Sequence, residues 1–115
     1  MPFVRLTTSV KLKERDLQRA RQIIGESISL IPGKTYEGTM IHIETEEAIS
    51  RGDSENPTAF IEIRLFGPAP MSAKRELVSV LCELLEKDLG IPKNYVYLNI
   101  LELNAWGTAG DFHAF

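Results

Sequence analysis

The sequence can be laid over itself at an offset of 57 positions, and no other feature restricts its fold as much. Phe3 then falls on Phe60, Val4 on Ile61 and Leu6 on Ile63. Further along, Ala20 falls on Leu77, Ile24 on Leu81 and Ile28 on Leu85. Gly33 meets Gly90, Ile41 meets Leu98 and Ile43 meets Ile100. A register that holds through strand, helix, turn and strand marks two copies of one supersecondary unit. The pseudo-repeats span residues 2–45 and 58–102 of a single domain covering 1–115.

The hydrophobic period within each copy says what that unit is. Residues 3–9 read as a strand. From Lys13 the apolar positions Leu17, Ala20, Ile24, Ile28 and Ile31 recur at three- and four-residue spacing, which predicts a helix ended by Pro32-Gly33. Residues 39–44 form a second strand, with Thr39, Ile41 and Ile43 on one face. The polar stretch ETEEAISRGDSENP is a connecting loop.

In the second copy, TAFIEIRLF places Ala59, Ile61, Ile63 and Leu65 on one face and Phe60, Glu62, Arg64 and Phe66 on the other. Gly67-Pro68-Ala69-Pro70 breaks that strand, and Ser72 is the expected N-cap of the next helix. That helix carries Leu77, Val80, Leu81, Leu84, Leu85 and Leu89; Gly90 closes it, Pro92 follows, and YVYLNILEL is the last long strand.

Each β-α-β copy is expected to be a right-handed crossover between parallel strands. The predicted fold is α+β, a four-stranded mixed sheet with two helices on one face. The opposite face carries Phe60, Phe66, Tyr95 and Tyr97 between Glu62, Arg64 and Asn99, too much apolar surface to leave in solvent, so subunits should associate over it.

Composition narrows the function. A net charge of −3 offers no basic face for a nucleic-acid backbone. No segment approaches the roughly 18 apolar residues of a membrane span. Arg5, Lys11, Lys13 and Glu14 interrupt the N-terminus too early for a secretory signal. One cysteine, Cys82, cannot form an internal disulfide, which fits the reducing cytoplasm. His42 and His113 are isolated, so no metal site is expected. Gly52-Asp53-Ser54 lacks the lysine of a phosphate-binding loop.

The second residue remains to be explained. Proline is tolerated at the first residue of a strand, so Pro2 could be no more than a strand start. Its repeat counterpart is Ala59, however, so the architecture does not demand proline there. If Met1 is removed, Pro2 becomes a free secondary amine and a base.

With Met-Pro at the start, Gly33-Lys34 after the first helix, GDSENPTAFIEIRLFG at 52–67 and LLEKDLGIPKNYVYLNILELNA at 84–105, the chain resembles the macrophage migration inhibitory factor family of the tautomerase superfamily. The resemblance covers essentially the whole chain. It implies the tautomerase fold, a homotrimer, and a cofactor-free isomerase acting on small aromatic α-keto acids or enols of the phenylpyruvate type.

By the same resemblance Pro2 is the catalytic base after loss of Met1. Lys34 anchors the substrate carboxylate, and Phe66 lines the pocket through its backbone N–H. Tyr97 and Asn99 reach the site from the adjacent subunit, and Phe115 is a wall or an intersubunit plug. While Met1 is attached, the Pro2 nitrogen is a tertiary amide and no base.

Two departures from the family pattern bear on the pocket. Gly110 stands where better-known members carry a tryptophan, and Trp106 or Phe112 could replace it. Thr58 and Ile61 occupy the positions of a Cys-x-x-Cys found in some members, which excludes a redox role through that motif. Dehalogenase- or decarboxylase-like relatives pair the proline with further Arg and Glu groups; Arg5 and Arg64 are present, but Arg5 lies early on a strand with no assigned role, so that chemistry is not favoured. The alternative to an enzyme is a cytokine-like binding module with a vestigial pocket, a receptor partner and non-classical secretion.

Overall fold

The computed structural model describes residues 1–115. Strand β1 (Pro2–Thr8) leads into helix α1 (Glu14–Ile28) and strand β2 (Met40–Glu44). Strand β3 (Ala59–Phe66), helix α2 (Met71–Leu89) and strand β4 (Val96–Leu103) repeat that order. A short hairpin, β5 (Ala105–Thr108) and β6 (Asp111–Ala114), ends the chain.

The sheet order is β2-β1-β3-β4, with β1 and β3 antiparallel in the centre and a parallel strand outside each. This is the four-stranded mixed sheet of the expected fold. The register has an internal symmetry. Phe3 lies beside Met40 and Ala59 beside Val96, so each crossover offsets its strands by 37 positions. Across the centre, Pro2 pairs with Leu65 while Ala59 pairs with Thr8. No helix is long and apolar enough to cross a membrane.

Alternation along the central strands builds the core. Val4, Leu6, Ala59, Ile61, Ile63 and Leu65 point towards the helices and are all at most 1% exposed. Ala20, Ile23, Ile24 and Ile28 from α1 and Leu77, Leu81 and Leu85 from α2 close over them. Full burial of each large aliphatic side chain contributes about 1.5–3 kcal/mol, so this layer dominates stability.

Local signals explain most element ends, with three corrections. Helix α1 stops at Ile28, earlier than Pro32-Gly33, because Ser29, Leu30 and Ile31 continue as tight turns onto Gly25, Ser27 and Ile28; Ile31 is buried from outside the helix. Ser72 is not the N-cap of α2: Pro70 occupies that position and the helix begins at Met71. Thr39 and Tyr95 lie outside the strands, Tyr95 in a 3-10 turn over Lys93–Tyr95. At the other end of α2, the Gly90 N–H bonds Glu86 and the Ile91 N–H bonds Leu85, and the buried Ile91 completes the cap.

One mid-helix glycine has a packing reason. A Cβ on Gly25 would lie 2.3 Å from Cγ of Tyr36, so the tyrosine ring rests directly on the helix backbone. Gly25→Ala should therefore destabilise the fold by about 1–2 kcal/mol, overpacking outweighing the roughly 1 kcal/mol helix preference for alanine. In a Tyr36→Ala background the same substitution should stabilise, a change of sign that urea unfolding of the four proteins would read.

The sheet face away from the helices is arranged in rows. Met40, Phe3, Arg64 and Leu101 lie abreast, then His42, Arg5, Glu62 and Asn99, then Glu44, Thr7, Phe60 and Tyr97. In the polar middle row Arg5 Nε donates to Glu62 at 2.8 Å and holds that carboxyl below the ordinary carboxylate value. The pair's contribution is complete above about pH 4.5 and is lost as pH falls through the lowered folded-state value. Arg5→Leu should flatten the acid limb of the stability curve, measurable by denaturant unfolding between about pH 5 and 3.

Candidate active site

The start of β1 opens onto a cleft of about 450 Å³. Met1, Pro2, Phe3, Met40, Arg64 and Leu103 line it from the sheet. The C-terminal hairpin supplies Ala105, Trp106, Gly107, Thr108 and Phe112. Both of the aromatic residues proposed as replacements for the tryptophan therefore line the cleft. Gly110 is at the hairpin tip with Ala109, at φ 84° and 51°, a two-residue loop with both residues left-handed. A tryptophan at 110 would be strained there, so the aromatic wall comes from the hairpin strands instead.

Lys34 stands beside this cleft. The turns that follow α1 place it there, the Lys34 N–H bonding the Ile31 carbonyl. Its Nζ donates to the Phe66 carbonyl at 3.2 Å. Partial burial, and then the Lys34 charge, lower the pKa of the terminal amine below its ordinary value. The Phe66 ring stacks on Phe115 with centroids 4.7 Å apart, and the Phe115 N–H donates to the Asn104 carbonyl. The chain terminus is thus pinned next to Lys34. The Phe66 contribution seen here is its carbonyl and ring.

Tyr97 and Asn99 are elsewhere. Pro2 pairs with Leu65, whereas Tyr97 lies beside Phe60 and Asn99 beside Glu62. Five residues of β3 separate the levels of Pro2 and Tyr97, roughly 17 Å at ordinary strand rise, with two strand spacings across. Tyr97 lines a separate small cavity with Phe60, Tyr95 and Arg51, and the Arg51 guanidinium lies 5.7 Å from the Tyr95 ring and 5.8 Å from that of Tyr97. Within one chain, then, Pro2, Lys34, Phe66 and Phe115 are grouped, and Tyr97 and Asn99 are not part of that group.

The family model for macrophage migration inhibitory factor matches residues 1–112. The chain belongs to the macrophage migration inhibitory factor family. It is 32% identical over 107 residues to a homologue from Trichinella spiralis, covering 90% of each chain. A second relative, macrophage migration inhibitory factor of Xenopus laevis, is 37% identical over 73 residues, a span of 64% of either chain.

Among solved structures, that of the Trichinella spiralis factor superposes with a TM-score of 0.77 at 28% identity, covering 96% of this chain and 98% of the other. Leishmania major MIF2 superposes with a TM-score of 0.88 at 21% identity over 97% of both chains, a likeness of fold. Membership places the chain among tautomerase-like and cytokine-like proteins.

Sequence reading passed over Arg64 and Met40 as parts of the cleft. The signal for Arg64 was its alternation with Phe66 on the outer face of TAFIEIRLF. The signal for the hairpin was the pair of short alternating runs around Ala109-Gly110.

Proposed function

We propose that the protein is a cofactor-independent tautomerase of small α-keto acids, with Pro2 as general base once Met1 is removed. The observation that carries this reading is the position of Pro2, buried and lining an aromatic-walled cleft, paired with Leu65 next to the Phe66 carbonyl that holds the Lys34 ammonium. Loss of Met1 moves the terminal amine one residue inward. Burial and the neighbouring cation both disfavour its charged form there, which brings a secondary amine towards neutral pH.

In the keto-to-enol direction the nitrogen lone pair takes a proton from the carbon beside the carbonyl. The C–H electrons form the C=C bond, and the carbonyl π pair moves onto oxygen, which then takes up a proton. Lys34 binds the substrate carboxylate and steadies the charge developing on oxygen.

The active unit in this proposal is a homotrimer in which Tyr97 and Asn99 complete the cleft of a neighbouring copy. Two features support it. Tyr97, Leu101 and Leu103 are 57%, 45% and 36% exposed on the outer face of the sheet. Strands β2 and β4 leave unpaired edges.

Mass spectrometry of the N-terminus with a phenylpyruvate tautomerisation assay tests the function. Met1-free protein should be active, and protein retaining Met1 should not. An inactive, fully processed oligomer would favour the cytokine-like binding module.

A further inference from the structure

Arg64 is the only charged residue in its row of the outer sheet face, between Phe3 and Leu101 with Met40 beyond. Its guanidinium lies 5.6 Å from the Phe3 ring centroid. Nε is buried and has no hydrogen-bond partner. Three other arginines are engaged, Arg5 with Glu62, Arg19 with Asp88 and Arg51 with the Asn94 carbonyl. The acidic group next along the strand on the same face, Glu62, already holds Arg5. An unsatisfied buried donor on a cation is destabilising unless a ligand or a second copy of the chain supplies the acceptor.

Its position says which ligand. Arg64 and Phe66 flank Leu65 on β3, and Leu65 is the residue paired with Pro2. The Phe66 carbonyl holds Lys34, and Arg64 lines the Pro2 cleft. Two cations of different geometry therefore bracket the base. Lysine is a compact point charge, whereas the guanidinium fork takes a carboxylate side-on through Nε and a terminal nitrogen.

We infer that Arg64 forms a second anion subsite in the cleft, so that the preferred substrate is a small α-keto acid bearing a second carboxylate. The substrate assignment rests on the tautomerase reading; the subsite does not.

Two measurements on Met1-free protein separate them. In ¹⁵N-labelled protein, succinate should move the Arg64 Nε–H resonance strongly, while butyrate at equal ionic strength should move it little. Arg64→Lys, which keeps the charge and loses the fork, should weaken succinate binding at least about tenfold, the scale of one charge-assisted hydrogen bond. A resonance unmoved by succinate, or one already hydrogen-bonded in the ligand-free oligomer through an acceptor from a second copy, overturns the subsite.

In turnover, the ratio of kcat/KM for oxaloacetate to that for phenylpyruvate should fall at least about tenfold in Arg64→Lys. An unchanged ratio overturns the substrate assignment. If wild type turns over neither compound while succinate still moves the Nε–H signal, the tautomerase reading fails and the subsite stands.

Discussion

Pro2→Gly, with Met1 removed, is expected to lower kcat/KM for phenylpyruvate by about a hundredfold or more, the usual range of a positioned general base. Glycine keeps an amine but loses both the secondary nitrogen and the ring that fixes its direction. Unfolding is not the expected cause. The symmetric position in the sheet, where Ala59 pairs with Thr8 as Pro2 pairs with Leu65, carries no proline. Far-ultraviolet circular dichroism and the oligomeric state should therefore match wild type.

Two companions sharpen the result. An N-terminal extension that keeps residue 1 covalently attached should be as inactive as Pro2→Gly, because an amide nitrogen has no basic lone pair. In the wild type, kcat/KM should fall as pH falls through the amine pKa, since only the neutral base accepts the proton. Lys34→Ala removes the cation beside that amine, so the acid limb should move to higher pH. Full activity in Pro2→Gly would remove Pro2 from the mechanism.

The fold was legible because alternation and repetition impose the same answer. The buried set of β3, Ala59, Ile61, Ile63 and Leu65, could be read from the strict period of TAFIEIRLF, and the copy in β1 follows at a fixed offset. What could not be read depended on contacts between distant segments. Ser72 had the chemistry of a cap, but Pro70, already extended and unable to donate, set the helix start two residues earlier. Gly25 owes its place inside α1 to Tyr36, a residue of the following loop whose ring lies on it.

The candidate site divides in the same way. Pro2 stands out by type and place and Lys34 only through the family resemblance, and the Lys34 partner is a backbone carbonyl, which no side-chain pattern announces. Arg64 shares a strand face with Glu62, and periodicity alone places both on the face expected to be covered by another subunit without assigning their partners. The structure gives Glu62 to Arg5 across the β1–β3 register and leaves Arg64 Nε unpartnered.

The largest remaining effect concerns assembly, and mixing two inactive variants should restore activity. One is Pro2→Gly; the other carries Tyr97→Ala with Asn99→Ala. Pro2 and Tyr97 are five strand residues apart in level and on strands separated by β3, so one chain cannot bring both to one ligand. Residues on rigid, paired strands do not close such a gap by loop motion. If each cleft takes Pro2 from one copy and the Tyr97–Asn99 pair from the next, every mixed trimer contains one intact cleft of three. Three quarters of randomly assembled trimers are mixed, so unfolding and refolding an equimolar mixture should recover about a quarter of wild-type activity under cyclic symmetry. Protein mixed without subunit exchange should stay inactive. Recovery no greater than the mean of the two parents would place the whole site in one chain and overturn the shared-cleft trimer.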